Sequence, residues 1–352
     1  MKHGLMYYLS SGGPNGIKNM GDYIQSLAAD QFMHANELIE RETLDAYVGD
    51  PMKVILNGWF MHVPEAFPPS PGIVPLFVSF HIRPEVETRL LTDRTVAYLK
   101  EHGPVGCRDR TTLYMLEKRG IPAYFSNCLT LTLGLTYRHA ADAAGVVFVD
   151  PMRPFSKADI RASKWYVLRH PVMAMRIYGK LRRQVLVGRK WSVRWKRFWA
   201  IGAFLRVYRQ VFSDEVLLSA DYVTHAVPER LFADERAKFA YADGLLRRYA
   251  RARLCVTTRI HCALPCLAMG TPVVFMSAKH GEMGGSGRMS GIIDLFNVGE
   301  TDGRTATLRF PCATLQDRRI GLDTVVVNSD AFRSFADRLS ERCRAFAEQK
   351  EC

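Results

Sequence analysis

Leu254–Met276 reads LCVTTRIHCALPCLAMGTPVVFM, and its alternation of apolar runs decides the fold. LCVTT is a short β-branched run that predicts a buried strand, and CALPCLAM predicts a compact helix. Gly270 closes that helix, Pro272 stops its continuation, and PVVFM restarts as a strand. Pro265 is expected in the first helical turn, where a missing N–H costs little. The three pieces make a βαβ unit with a right-handed crossover. Arg259 and His261 fall between the C-terminal end of the first strand and the start of the helix. Ligands bind along that edge in open α/β sheets, and the helix end favours anions. An Arg fork beside a side chain that titrates near neutrality suits an anionic substrate. A solvent-facing Arg and a capping His would give the same letters.

The composition bounds the rest. The 352 residues suffice for two ordinary domains, and 48% hydrophobic with 24% charged residues is the balance of a soluble globular chain. The opening MKHGLMYYLSSGG has too short an apolar core for a secretory signal. No apolar run approaches the roughly 18 residues that span a bilayer. The eight cysteines include no CxxC pair and read as reduced, mostly buried thiols, which fits a cytoplasmic chain. His261, Cys262 and Cys266 lack a fourth ligand at sensible spacing, so no metal is expected. The net charge of +13 is uneven: residues 153–209 carry sixteen Lys and Arg against Asp159, or +15, which leaves −2 for the remainder.

Upstream, Met6–Leu9 predicts a first strand running into the glycine-rich loop SSGGPNGIKNMG, residues 10–21. Asp22 then caps a helix, DYIQSLAADQFM. This is the design of a phosphate or hydroxyl cradle, although neither the Walker spacing nor GxGxxG is present, and a plain turn reads equally well. VILNG (54–58) predicts a second strand, with Asn57 and Trp59 at its end, and Leu76–Phe80 another, ending in His81. Val105–Cys107 is a short strand followed by Arg108 and by Asp109 or Thr111 as the cap of the next helix. Gly145–Asp150 restarts a strand, Ser219–Val223 predicts another, Pro228–Ala250 a helix, and Ser329–Gln349 a final helix. Two strand–helix alternations of similar size imply an α/β fold of two Rossmann-like domains facing a cleft. The boundaries drawn are 1–142, 143–330 with a basic aromatic insert at 153–212, and a terminal helix at 331–352.

Several of these clusters, in this order, resemble the polysaccharide pyruvyl transferase family: NMGDYIQSLAA (19–29), LNGWF (56–60), LFVSFHI (76–82), GPVGCRDRTTLYMLEKRGIPAYFSNCLTLTL (103–133) and VTTRIHCALPCLAMGTPVVF (256–275). The resemblance implies a fold similar to that of GT-B glycosyltransferases. It also implies phosphoenolpyruvate as co-substrate, without a further cofactor, and a pyruvate ketal on two hydroxyls of a sugar in a bacterial exopolysaccharide or cell-surface glycan. Phosphoenolpyruvate carries two anionic ends and asks for two cationic forks. Arg108 and Arg259 match the motifs, with Lys279 and Arg288 placed to assist. His261 is the expected general acid/base, and Asp22 the residue that receives the acceptor's proton. Asn19, Gly21, Gln25, Asn57 and Trp59 are expected on the acceptor side. A sugar-nucleotide-dependent GT-B glycosyltransferase would share the fold, and a non-catalytic scaffold of a glycan-assembly complex would use the insert to dock. Nucleic acid is not an expected partner, because the charge sits in one insert and not along a groove.

In the insert, Trp191, Trp195, Phe198, Ile201, Leu205, Tyr208 and Phe212 recur every three or four residues, among cations that include Arg194 and Arg197. An aromatic stripe in a cationic surround suits a helix lying in an anionic membrane surface, with a lipid-linked oligosaccharide as acceptor. The alternatives are a core-packing helix with a solvated basic face and a helix that binds a protein partner.

Overall fold

A computed structural model describes residues 1–8, 16–59, 62–152, 155–278, 287, 289–310 and 319–349. The chain is a mixed α/β structure built on parallel-stranded sheets. The first part runs β1 (Lys2–Tyr7), β2 (Ile17–Asn19), α1 (Met20–Met33), β3 (Glu37–Glu40), β4 (Met52–Leu56), β5 (Ile73–Phe77), α2 (Glu87–Leu90), α3 (Asp93–Glu101), β6 (Val105–Cys107), α4 (Arg110–Lys118) and β7 (Ala123–Phe125). The second runs β8 (Val146–Val149), α5 (Lys157–Ala162), α6 (Lys164–Arg169), α7 (Pro171–Gln184), α8 (Trp191–Tyr208), α9 (Asp214–Ser219), β9 (Asp221–Val223), β10 (Ala226–Pro228), α10 (Glu235–Ala250), β11 (Leu254–Thr257), α11 (Ile260–Met269), β12 (Val273–Ala278), β13 (Asn297–Thr301), β14 (Ala306–Leu308) and α12 (Arg333–Glu348).

One sheet has the order β3-β1-β4-β5, all parallel, and the other β14-β13-β12-β11-β8-β9, parallel except for β14 at the edge. In each, the chain steps to one side of its first strand and then returns to the other. The points where the order turns lie between β1 and β4 and between β8 and β11. Such switch points open a crevice at the carboxyl ends of the strands.

The second sheet is buried on both faces, which is why its strands read as continuous apolar runs. Val147, Val149, Cys255, Val273 and Phe275 point into one core; Val146, Phe148, Leu254, Val256, Val274 and Met276 point into another. The first core is shared with α1, α10, α11, α12 and the 3₁₀ turn Leu129–Leu135, and it continues into the first sheet. The second is roofed by α6–α9, where Phe204, Tyr208 and Phe212 gather around Phe148 and Tyr222.

Several sequence expectations are corrected. Helix α1 begins three residues earlier than expected, because Asn19 is the N-cap that accepts the Gly21 N–H, leaving Asp22 inside the first turn. Likewise, α11 begins at Ile260, so Pro265 lies in its second turn. Gly270 closes that helix at φ 84°, in the left-handed region open to glycine. The expected strand 219–223 begins only at Asp221, because Ser219 is the last residue of α9. The expected helix 228–250 starts at Glu235, capped by Asp234. Segment 153–212 is not an appendage: its described part is the helical layer covering one face of the six-stranded sheet. The aromatic stripe accordingly splits. Ile201, Leu205, Tyr208 and Phe212 are buried, Phe198 is half-buried, and Trp191 and Trp195 remain exposed.

Gly202 shows how closely this layer is fitted. A Cβ there would stand 2.2 Å from the carbonyl oxygen of Ser163, at the junction of α5 and α6. Gly202→Ala should therefore lower stability, although alanine is the better helix former by about 1 kcal/mol. Phe204→Ala should cost about 3–5 kcal/mol and Trp191→Ala no more than about 0.5 kcal/mol. Urea denaturation of the three variants checks the ranking, and equal effects at 191 and 204 would refute the split of the stripe.

Candidate functional site

The carboxyl ends of strands in both sheets meet at the start of α1. Residues 17–19 of β2 pair antiparallel with 226–228 of β10, setting Asn19 opposite Ala226. The Met20 N–H then donates to the His225 carbonyl at 2.8 Å. This pairing holds the first turn of α1 against two imidazoles. A Cβ on Gly21 would lie 3.0 Å from His261 Nδ1, 3.3 Å from His225 Nδ1 and 3.3 Å from Asn19 Oδ1. Glycine is a poor helix residue, and the close approach of these side chains is the physical reason for it here. His261 is the second residue of α11, and Arg259 occupies its N-cap position. His225 is bound from the other side, with its Nε2 2.7 Å from the Tyr249 hydroxyl.

Asp150, at the end of β8, organises the switch point. Its Oδ2 accepts from Arg259 Nε at 2.6 Å and from the His225 N–H at 3.1 Å, and its Oδ1 accepts from Thr224 Oγ1 at 2.6 Å. Burial works to raise the Asp150 pKa, but Arg259, His225 and the Thr224 hydroxyl outweigh it and hold the carboxyl at about 2. The residue has φ 50°, and Ser79 (φ 56°) and Asn127 (φ 63°) share that conformation in the loops after β5 and β7. Left-handed backbone at non-glycine residues is a conformation that costs energy and collects at working sites.

On the other side, Asn57 Nδ2 donates to the Gln25 carbonyl at 2.7 Å, and Gln25 Nε2 to Asp22 Oδ1 at 3.3 Å. Arg108 follows β6 and is fully buried. Its Nη2 is 3.7 Å from Asp109 Oδ2, too far for a hydrogen bond. That same oxygen is 2.6 Å from His81 Nδ1, while Asp109 Oδ1 caps α4 by accepting from the Thr112 N–H at 2.9 Å. Burial lowers the Arg108 pKa, and Asp109, Cys128 and Asp22 oppose that. Burial would raise the Asp109 pKa, but His81, Arg108 and the Thr112 N–H together bring it down. Among the described residues, Arg108 Nε, Gln25 Oε1 and Asn57 Oδ1 are buried without a hydrogen-bond partner. Buried polar atoms of this kind are uncommon, and a ligand can satisfy them.

The structure thus gathers Asn19, Gly21 and His261 directly. Asp22, Gln25 and Asn57 are joined by hydrogen bonds, and the charge of Asp22 reaches Arg108. Arg259 enters through Asp150 and His225. Trp59 stands apart from this group, bridged to His81, stacked on His62 and covered by Arg83. Lys279 and Arg288 lie outside the described residues. His225 and Asp150 were missed in the sequence, although each follows a strand at its carboxyl end, where the switch-point rule points. Cys255, Cys262 and Cys266 are buried free thiols, and among the described residues no group of His, Cys, Asp and Glu is arranged to hold a metal.

A family model described as polysaccharide pyruvyl transferase matches residues 19–280, most of the chain. No curated protein and no solved structure matches it.

The Asp150–Arg259 pair yields a pH prediction. The folded carboxyl titrates at about 2, below the ordinary aspartate value of 3.8. Its contribution is therefore complete above that ordinary value and is lost as the pH falls towards 2. Asp150→Asn should be less stable than the parent by roughly 2 kcal/mol at neutral pH, with the gap closing between pH 4 and pH 2. Urea melts across that range decide, and a constant gap would discount the pair.

Proposed function

The chain belongs to the polysaccharide pyruvyl transferase family, and from that premise we propose that it transfers the enolpyruvyl unit of phosphoenolpyruvate to two hydroxyls of a sugar. The product is a pyruvate ketal in a bacterial exopolysaccharide or cell-surface glycan. The observation that carries this reading is Arg108, a fully buried guanidinium with Nε unbonded among the described residues, in the same site as His261 and the α1 turn. A buried cation with spare donors asks for an anion. The two parallel-stranded sheets, each with its switch point near α1, support two Rossmann-like halves as in GT-B enzymes, divided near residue 142.

Arg108 and Arg259 hold the carboxylate and phosphate of the donor, with Lys279 and Arg288 assisting. His261 protonates the methylene carbon, so that C2 becomes electrophilic. The first sugar hydroxyl attacks C2 and gives its proton to Asp22. The bond from C2 to the phosphate oxygen then breaks, phosphate leaves with the proton that Asp22 took, and the second hydroxyl closes the ring on C2, returning its proton to His261. Gln25 Oε1 and Asn57 Oδ1 offer acceptor atoms for sugar hydroxyls, next to Asn19 and Gly21. The arginines neutralise the leaving phosphate.

The acceptor is read as a lipid-linked oligosaccharide met at the inner face of the cytoplasmic membrane. No helix among the described residues is long and apolar enough to cross a membrane. What supports peripheral contact is that α6, α7 and the start of α8 leave large apolar side chains exposed: Leu168, Val172, Met175, Trp191 and Trp195. Exposed cations, Arg169, Arg176, Lys190 and Lys196, are their neighbours in sequence.

Two outcomes follow for the chemistry. Arg108→Lys keeps the charge but loses the fork, and should weaken phosphoenolpyruvate binding roughly tenfold or more in a calorimetric titration. His261→Gln should keep that binding and reduce phosphate release by roughly 10²–10⁴-fold; near-parental release would move the proton transfer elsewhere. For the surface, the protein should sediment with phosphatidylglycerol vesicles at low salt and release at high salt. A Trp191→Ser, Trp195→Ser, Lys190→Gln, Lys196→Gln variant that partitions equally would end the membrane reading.

A further inference from the structure

Beside the switch point of the second sheet lies a cavity of about 220 Å³, and of its lining the scheme above uses only Arg259. Its floor is Asp150, Met152 and Thr224 at the strand ends, and its roof comes from the end of α7 and the start of α8. Three arginines, Arg189, Arg197 and Arg259, face one carboxylate across it. Asp150 is already engaged by Arg259, Thr224 and the His225 N–H. Among the described residues neither Arg189 nor Arg197 has an ion-pair partner. Arg189 is fixed by donating to the Ala226 carbonyl. Burial lowers its pKa, repulsion from Arg197 and Arg230 adds to that, and Asp150 opposes it. Two converging guanidiniums that share one carboxylate already bound by a third arginine are stabilised by a multivalent anion, above all one with several oxygens for their forks. The remaining wall, Leu181, Val185, Leu186 and Val193, is apolar.

We propose that this cavity is a phosphoryl-binding subsite, in which Arg189 and Arg197, with the outer edge of Arg259, hold phosphate or diphosphate oxygens while the apolar wall takes the carbon chain attached to them. The pyruvyl-transfer reading is needed only to name the source of that group. It is either the phosphate of the donor or the diphosphate joining the acceptor to a lipid carrier. The position favours an amphiphilic ligand, because Arg197 and Val193 stand on the same turns of α8 as the exposed Trp191 and Trp195. A lipid chain rising from the cavity would run along that exposed face.

The test is calorimetric titration of the full-length protein with inorganic pyrophosphate, phosphoenolpyruvate and geranyl diphosphate. The variants are Arg197→Gln, Arg189→Gln with Arg197→Gln, and Val193→Asp. Arg197 is exposed, so the single variant should fold even if the double one does not, with circular dichroism as the check. The double variant should weaken pyrophosphate and geranyl diphosphate roughly 10- to 100-fold, and Val193→Asp should weaken geranyl diphosphate more than pyrophosphate. A parallel loss of phosphoenolpyruvate assigns the phosphoryl group to the donor; phosphoenolpyruvate binding that is retained assigns it to the acceptor. Affinities unchanged in every folded variant, or no binding of any probe, overturn the subsite. A parent protein that binds geranyl diphosphate but not phosphoenolpyruvate ends the donor reading and leaves the subsite in place.

Discussion

The pairing of three residues with three, 17–19 against 226–228, is the contact on which the site depends. It crosses from the first sheet's side of the chain to the loop leaving β9, and it is the reason Gly21 meets His225 and His261. A fully buried lysine secures it: Lys18 Nζ donates to the Tyr8 carbonyl at 3.1 Å and pairs with Glu229 Oε1 at 3.2 Å. Lys238 holds the same carboxylate at 3.1 Å. Only the lysine end of this pair is buried, the Glu229 side chain being 41% exposed, so removing Glu229 would leave the Lys18 ammonium inside without its carboxylate. The strand pair is thus held by its side chains as well as its ladder, and the imidazoles have little freedom to drift from α1.

That rigidity gives the arginines their value. A guanidinium has five N–H donors, and a single carboxylate cannot use them all. Asp150 takes Arg259 through Nε, while Asp109 stays 3.7 Å from Arg108 and spends its closest contact on His81. Asp150 orients Arg259 and Asp109 only neighbours Arg108, so neither carboxylate saturates its arginine. The geometry also explains why the acids had to be buried with the bases: a bare arginine at these depths would carry the full desolvation penalty.

Much of this was legible in the letters, for definite reasons. LCVT and VVFM read as buried strands because both faces of their sheet are covered, and Gly270 marked a helix end because the left-handed conformation there favours glycine. Arg108, Arg259 and His261 stand out in the letters because they follow strands within ordered motifs. His225 and Asp150 do not, since each acts through a partner remote in sequence. Periodicity was also a partial guide at α8: it located the stripe but could not say what covers it, because Phe148 and Tyr222 come from strands on either side of the helical segment. The start of α1 was misplaced for a similar reason. Asp22 and Asn19 are both competent caps, and the pairing of β2, invisible locally, selects Asn19.

The division of α8 follows from lengths. Eighteen residues of helix extend about 27 Å, whereas a four-residue strand such as β8 covers only about 13 Å. A helix that covers the sheet with its C-terminal half must overhang with its N-terminal half. Where it lies over the sheet, Ile201, Phe204, Leu205 and Tyr208 are buried. Where it overhangs, Trp195 and Phe198 stack on one another at 6.0 Å and Phe198 meets Tyr178 of α7 at 5.3 Å, so the aromatic ladder is supported by helices alone. Trp191, at its end, has only Trp195 to stack on among the described rings, at 6.5 Å. The overhang therefore serves two neighbours with one helix. Its inner edge supplies Val193 and Arg197 to the cavity at the strand ends, and its outer edge presents tryptophan among cations to whatever lies beyond the protein.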